Sequence, residues 1–566
     1  MPTAISTTPP NPMANKSIIN SSSMDPKNGF CSETKIFHSL RPSIAFPPET
    51  TSVTSYVFSL LESHAPPPDT TALVDTATRH RILYANLALR IKTLASSLKT
   101  KYKLSKYDVA FLLSQNSVRV PVLYLSLLSL GVVVSPSNPS CTIPEILRQI
   151  HLSKPVIAFA THDTAHKIPQ LKYGTVLLDS PEFEPLSATD SLDYYDDDEE
   201  RVRVSVSLSD PAAILYSSGT TGMVKGALLT QRNLVAAVAG GHAVRAARSR
   251  PAVVLCTVPY FHSYGFTCCL RSLGMGESLV CMGKFDFGRM LKAVEEFRVS
   301  HVVLAPPVVL KMARDGGTMD GYDLSSIEVV ASGGAHLTLS VIRKFKERLP
   351  KVNLAQGYGL TETTARIFGT VGPKECQVVG ATGKLLSNCQ AKIVDPESGI
   401  PQPPSTPGEL WVRGPFIMKG YVGDEEATAA ILDSDGWLRT GDLCYIDDEG
   451  FLFFVDRIKE MIKYNGYQIA PAELEHLLQS HPDIVDAAVV PFLDEQAGQI
   501  PIAFVVRKRW SIIDESQIQD FIAKQVAPYK RIRQVTFIDS LPKNAPGKVL
   551  RKKLIKLAHS KATSKL

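Results

Sequence analysis

The sequence predicts an α/β fold built largely from parallel layers, and three observations carry that prediction. Short apolar runs alternate with segments of helical length through most of the chain. From about Val378 to Phe454 the texture changes to short strands and Gly/Pro turns, as in Gly408–Gly414 (GELWVRG), which predicts a small β-rich unit. After Asp456-Arg457-Ile458-Lys459 a compact α+β stretch follows, with a helix start at Pro471-Ala472-Glu473.

Taken in order, residues 1–35 are rich in Ser, Pro, Asn and Thr and carry few aromatics. Such a segment buries too little apolar area to offset its ordering entropy and is expected to be disordered. Asp108–Leu113 and then Pro121–Ser135 read as strand, helix, strand; the second run is too short to span a bilayer and is broken by Gly131. Pro155–Ala160, Val253–Val258, His301–Ala305 and Ile327–Ala331 are further strand candidates. The polar stretch from Ser187 to Ser209, with its acidic run Asp196–Glu200, reads as a solvated loop. There is no internal repeat.

At 566 residues the chain calls for two or more domains. An apolar share of 44% and a charged share of 20% are ordinary for a globular protein. The net charge of +6 is spread out, with only short clusters such as Arg551-Lys552-Lys553, so no nucleic-acid partner is expected. Nine cysteines form no CxxC pair and no His/Cys metal spacing, which fits a reducing compartment. No secretory apolar core is visible near the N-terminus, and no transmembrane segment is expected. Ser564-Lys565-Leu566 reads as a peroxisomal address recognised by an import receptor, so the matrix of that organelle is the expected location.

The most informative run is Tyr216–Gly226, YSSGTTGMVKG, which follows apolar Ala212–Leu215. A strand feeding a Gly/Ser/Thr loop presents backbone N–H groups, hydroxyls and one cation, which together suit a polyphosphate. It is not a Walker A loop, because Gly226 rather than Ser or Thr follows Lys225. Farther on, Thr361 and Glu362 place a hydroxyl beside a carboxylate on a Gly-rich turn. That is a sensible Mg²⁺ position, since this ion takes few protein oxygens in addition to substrate phosphates.

SSGTTGxxKG resembles the phosphate-loop signature of the acyl-adenylate-forming enzymes. Other motifs of that family follow in order, and the likeness runs from about Phe37 onward. The chain is most similar to the peroxisomal 4-coumarate–CoA ligase-like group of plants. The resemblance implies that Ser217, Ser218, Gly219, Thr220, Thr221 and Lys225 hold the β- and γ-phosphates, with Val224 standing where Pro is usual. In Gln356-Gly357-Tyr358-Gly359-Leu360-Thr361-Glu362 it assigns Gln356, Gly357 and Tyr358 to adenine, Thr361 to the α-phosphate and Glu362 to Mg²⁺. Asp442 and Arg457 match the ribose-binding pair. His262 is placed beside the substrate carboxylate and Tyr264 in the acyl pocket.

Gly334 resembles the element that walls that pocket, with His336 in place of a usual Pro. The segment after Glu362 supplies Ala365, Arg366 and Gly369, and Arg366 stands where a small apolar residue is usual. Lys548, in PKNAPGK, matches the lysine that bridges α-phosphate and carboxylate; a flexible point charge suits that task. Lys459 lies beside the presumed pivot. Lys463 and Gln468 are implied near the acyl-adenylate after rotation, and Lys284, Asn465 and Gly466 along the CoA channel.

The implied architecture is a large N-terminal domain over 36–456, with two parallel α/β subdomains and a small β-barrel-like one. A hinge at 457–459 and a mobile α+β C-terminal domain over 460–563 complete it. The expected activity is Mg²⁺- and ATP-dependent ligation of a carboxylic acid to CoA, with 4-coumarate or a related hydroxycinnamate as the favoured acid. Alternatives are a medium- or long-chain fatty acid or jasmonate-precursor ligase, a luciferase-like adenylating monooxygenase, and a non-catalytic adenylate-binding protein.

Overall fold

A computed structural model describes residues 23–63, 66–187, 204–217, 224–245, 247–335, 337–364, 366–464, 467–494, 497–526, 528–544 and 547–563. Four sheets organise them. One has nine strands, in the order Lys384–Leu385, Phe368–Gly369, Asn353–Tyr358, Val329–Ser332, His301–Leu304, Val253–Cys256, Ser278–Cys281, Thr71–Asp75, Arg81–Leu83. Its centre, from Asn353–Tyr358 to Thr71–Asp75, is parallel. A second, seven-stranded sheet runs Gly420–Tyr421, Lys225–Thr230, Pro211–Ser217, Val133–Pro136, Val109–Leu113, Ile157–Ala160, Thr175–Leu177. It is parallel from Pro211–Ser217 onward.

These central strands are apolar on both faces, as parallel strands covered by helices must be. Ala110–Leu113 and Val134 are almost wholly buried, with the helix Arg119–Ser129 against them. The apolar run Pro121–Ser135 is therefore interior helix and strand, as its length and Gly131 predict. The strands expected at 155–160, 253–258, 301–305 and 327–331 all form, the first three trimmed by one or two residues and the last shifted to Val329–Ser332.

The β-rich unit is a six-stranded antiparallel sheet: Phe30–Cys31, Ile36–His38, Gln390–Val394, Gly408–Arg413, Leu438–Ile446, Leu452–Arg457. Its first strand lies inside the stretch for which composition predicts disorder. The physical reason is local: the Phe30 and Phe37 rings pack 4.8 Å apart and Cys31 is fully buried, enough apolar contact to fix the hairpin. Asn28 also donates to the Asp448 carbonyl across the sheet edge. Residues 1–22, the acidic run at 196–200 and the Ser564-Lys565-Leu566 tripeptide lie outside the described residues. Among the described residues no helix is long and apolar enough to cross a membrane.

Beyond Arg457 a short 3-10 turn, Ile458–Glu460, leads to a separate five-stranded sheet built on the hairpin Ile484–Asp494/Gly498–Arg507. It has its own core around Ile462, Leu474, Val489, Val505 and Ile518. This unit touches the rest of the chain through few contacts, among them Arg314 donating to the Val485 carbonyl. A cleft of about 260 Å³ lies between the two.

Candidate active site

The cleft is lined from the large unit by Pro307, Gly334, Gly357, Tyr358, Asp442 and Arg457, and from the small unit by Lys543, Gly547, Lys548 and Arg551. Asp442 and Arg457 face one another across neighbouring strands, so strand register alone brings them together. Tyr358 ends the strand Asn353–Tyr358, and its hydroxyl donates to Asp442 Oδ2 at 2.6 Å. Arg457 Nε lies 3.4 Å from Asp442 Oδ1. Asp442 is only 2% exposed, and burial pushes its carboxyl up against the pull of Arg457 and Tyr358. The three residues thus form one pre-set polar wall.

Lys548 arrives from the small unit. Its N–H donates to Asn544 Oδ1 at 2.7 Å, closing the loop that presents it. The preceding Gly547 has φ +88° and abuts Pro307; a Cβ there would stand 2.1 Å from Pro307 Cγ. Only glycine permits that approach in that conformation. Burial, then the nearby Arg457, pushes the Lys548 ammonium down to about 8, while Glu460 and Asp442 pull it upward. The Lys459 ammonium is likewise lowered, by burial first and Arg457 second.

Behind Lys548, Arg551 is clamped by Glu460 at 2.7 Å, by both oxygens of Glu475 and by the Val489 carbonyl at 2.9 Å. Neither Glu460 nor Arg551 is a candidate from sequence. Their pairing spans 91 positions, and Arg551 reads there as part of a basic surface cluster.

On either side of the expected phosphate-binding run, Ser217 ends one strand and Lys225 opens the next, and the two are register partners. Ser218, Gly219, Thr220 and Thr221 lie outside the described residues. Lys225 Nζ stands 4.8 Å over the Tyr421 ring and 4.0 Å from Asp424 Oδ2. The Tyr421 hydroxyl donates to Glu362 Oε1 at 2.7 Å, tying the Mg²⁺ candidate to the phosphate hairpin. Tyr421 belongs to a two-residue edge strand and carries no sequence signal for this role. No group of three or more metal-ligating side chains occurs among the described residues. A single carboxylate opposite a phosphate loop is nonetheless the donor set Mg²⁺ uses when substrate oxygens complete its shell. Gln356 is oriented from both sides: its N–H donates to Thr370 Oγ1 at 2.9 Å and its Nε2 to the Ala381 carbonyl at 3.2 Å. Thr361 opens the short turn Thr361–Thr363.

Among the residues expected on the acid side, His262 sits at the N-cap position of the helix Ser263–Gly274, its ring 4.8 Å from that of Phe261 and tilted 39° to it. Burial pushes its imidazole down to about 4, so it is neutral near pH 7. Tyr264, the second residue of that helix, meets Gly333, where a Cβ would lie 3.4 Å from Cε1. Arg366 lies across two glycines; a Cβ on Gly369 would be 3.0 Å from Nη1, and one on Gly357 3.5 Å from Cδ. Ala365 and His336 lie outside the described residues.

Several candidates are not brought to the cleft. Lys284 is exposed on the loop after Ser278–Cys281. Lys463 is exposed and pairs in register with Gln468 on the hairpin Ile462–Tyr464/Tyr467–Ile469, away from the cleft lining. Asn465 and Gly466, at its turn, lie outside the described residues, as does the Gln468 side chain.

The fold thus sets a wall of Tyr358, Asp442 and Arg457 on one side of a cleft and Lys548, from the small unit, on the other. The chain belongs to the AMP-binding enzyme family: that family's model matches residues 61–422, and the AMP-binding enzyme C-terminal domain matches residues 473–548. Within it the chain is an AMP-forming acid–thiol ligase. It is 46% identical to 4-coumarate–CoA ligase-like 9 of Arabidopsis thaliana, over 96% of this chain and 98% of that protein. It is 42% identical to peroxisomal OPC-8:0-CoA ligase 1 of the same plant, over 95% and 99%. Among solved structures, ATP-bound MatB from Rhodopseudomonas palustris aligns with a TM-score of 0.79 at 26% identity, covering 90% of this chain and 99% of that one. The o-succinylbenzoate CoA synthetase of Bacillus subtilis, in complex with its acyl-adenylate, aligns at 0.74 and 26% identity, covering 88% and 97%.

Proposed function

We propose that this chain makes a CoA thioester of 4-coumarate or a related hydroxycinnamic acid in the peroxisome matrix, in two steps. In the first, a carboxylate oxygen attacks the α-phosphorus of ATP, pyrophosphate leaves, and an acyl-adenylate forms. In the second, the CoA thiol, losing its proton, attacks the acyl carbon and AMP departs.

The observation that carries this reading is Lys548, delivered by the small unit into a cleft whose other wall is Tyr358–Asp442–Arg457. A cation held there meets the charge that develops at the α-phosphate. Asp442 would accept the ribose hydroxyls, and Ser217–Lys225 would hold the terminal phosphates. Bound through Glu362, Mg²⁺ would neutralise the departing pyrophosphate. The neutral His262 would position the acid carboxylate without competing for it as a counter-ion.

For the second step the small unit would turn about Ile458–Glu460. That withdraws Lys548 and brings the Lys463–Gln468 hairpin, with Asn465 and Gly466, to the acyl-adenylate, and Lys284 would meet the CoA nucleotide. The few contacts between the units, and Gly547 against Pro307, are what such a hinge would make and break. Tyr264 against Gly333, beside Gly334, would offer an aromatic acid a ring to pack on.

A second reading, an aliphatic oxylipin-type acid, is favoured by the likeness to the peroxisomal OPC-8:0-CoA ligase. The same relative supports the peroxisomal location, and binding of Ser564-Lys565-Leu566 to an import receptor would test it. The deciding experiment is thioester formation, followed by mass spectrometry, from MgATP, CoA and a panel of cinnamic, 4-coumaric, caffeic, octanoic, palmitic and cyclopentenone-alkanoic acids. Highest kcat/KM on 4-coumarate supports the first reading, and highest on an aliphatic acid replaces it with the second. Adenylate release without thioester would point to a monooxygenase-like enzyme, and no turnover at all to a binding protein.

A further inference from the structure

Tyr264, Cys268 and Arg271 recur at i, i+4 and i+7 on the helix Ser263–Gly274 and therefore share one face of it. Tyr264 contacts Gly333, Gly333 neighbours the Gly357 carbonyl, and Gly357 backs the Arg366 side chain, so these residues form one continuous wall. Arg366 makes no hydrogen bond or ion pair among the described residues. Burial lowers its guanidinium to about 10, with Arg271 the next cause; Tyr264 pulls it up and Arg41 pushes it down, and no carboxylate acts on it. Arg41 is already held by Glu375 at 2.6 Å, so its charge is spent elsewhere.

Deeper along the same face the balance stays positive. After burial, the largest influence on Arg271 is the carboxylate of Glu277, 8% exposed, whose own carboxyl burial pushes upward. Arg245 acts on Glu277 as well, whereas Arg248 is paired with Glu328 at 2.6 Å. Arg271 Nε, Glu277 Oε2 and Arg245 Nη1 are buried and have no hydrogen-bond partner among the described residues. Native interiors rarely leave such atoms unmatched. Two glycines, Gly357 and Gly369, also keep open the space that the Arg366 side chain occupies, and a Cβ at either would press on it.

We infer that Arg366, backed by Arg271, is a specificity residue for acids that carry a second carboxylate at the end remote from the reacting one. The inference rests on the ligase reading and departs from it in the acid, which would carry a carboxylate where a hydroxycinnamate carries a phenol. An acid with a hydrocarbon tip would strip water from Arg366 and offer it nothing in return. A phenol, as in 4-coumarate, offers one neutral oxygen. A carboxylate offers two charged ones in the geometry a guanidinium fork matches.

The test compares acids that differ only at the remote end: cinnamate, 4-coumarate and 4-carboxycinnamate, and octanoate against octanedioate. Each is assayed for pyrophosphate release and for CoA thioester, with wild type, Arg366→Leu and Arg366→Lys. In wild type the carboxylate-tipped acid is expected to exceed its unsubstituted partner about tenfold or more in kcat/KM. Arg366→Leu should reverse that order, and Arg366→Lys should retain part of it. Wild type that favours the unsubstituted acids overturns the inference, and so does a ratio equal in wild type and Arg366→Leu. The wild-type ratio needs no variant, so a poorly folding Arg366→Leu does not remove the test. Failure of the ligase reading looks different: no acid then releases pyrophosphate.

Discussion

On the nucleotide side of the cleft, Tyr358, Asp442 and Arg457 hold one another, and Tyr421 holds Glu362. The residues expected on the acid side, Arg366, Tyr264 and a neutral His262, are not part of that cleft's lining, and Arg366 has no hydrogen bond or ion pair among the described residues. The first arrangement is set before any ligand arrives, as a site must be if its task is to meet charge that develops during reaction. The second leaves a polar group that no described side chain engages, and under the inference above its partner would come from the substrate. Substitutions on the nucleotide side should therefore lower turnover of every acid by a common factor, whereas those on the acid side should reorder acids.

The largest expected effect is that of Lys548→Ala. Acyl-adenylate formation should fall about 10²- to 10³-fold, the range typical of losing one charge-stabilising group. Thioester formation from a pre-formed acyl-adenylate should be much less affected, because that step would not use the lysine. Equal losses in both half-reactions would mean that Lys548 holds the fold of the cleft rather than the reacting phosphate. Asp442→Asn comes next. It removes a charge that both Tyr358 and Arg457 address, which is worth about 1.5–3 kcal/mol. The KM for ATP should rise roughly ten- to a hundredfold with relative kcat/KM across acids unchanged; altered acid ranking would erase the contrast between the two sides.

A smaller effect is expected from Gly547→Ala. An L-residue at φ +88°, with its Cβ against Pro307, is strained wherever the small unit sits as it does here. A left-handed non-glycine costs about 1–2 kcal/mol, so adenylation should slow roughly tenfold. Thioester formation from acyl-adenylate should hold steady, or rise if that step uses a different domain arrangement. Loss in the second half-reaction alone would place the Gly547–Pro307 contact in the other step.

The parts of the site that sequence made legible are those whose chemistry is written in one short stretch. The strand entering Ser217, the short turn carrying Glu362 and the neighbouring strands that hold Asp442 and Arg457 are local structure of that kind. The parts that escaped are contacts between distant positions. Arg551 with Glu460 and Glu475, Tyr421 with Glu362, and Gly547 with Pro307 each join segments whose local sequence says nothing of the other. The N-terminal hairpin escaped for a related reason. Averaged over residues 1–35 the composition is that of a disordered segment, but Phe30, Cys31 and Phe37 act as individuals once Gln390–Val394 offers them an edge. Arg366 was legible as an unusual residue in the acyl-substrate segment, but not its lack of a partner among the described residues, because that is a property of the surrounding space.

The smallest effect is a pH limb, and its direction follows from Lys548. Burial and Arg457 hold its ammonium at about 8, below the ordinary lysine value. The charged form is the one that meets the α-phosphate, so activity is full below that value and is lost as pH rises through it. At pH 8 the loss is about twofold, growing tenfold per unit above. The limb belongs to kcat/KM for ATP, which reports the free enzyme; in kcat it should move upward, because a bound polyphosphate favours the ammonium. His262, held near 4, should add no limb between about pH 5 and 8, where an ordinary histidine would. Lys548→Arg keeps its charge throughout this range, so the alkaline limb should vanish in that variant whatever rate remains. A limb of the same position in Lys548→Arg would assign the titration to another group, and the nucleotide side would then contain an ionisation that its hydrogen-bonded wall does not reveal.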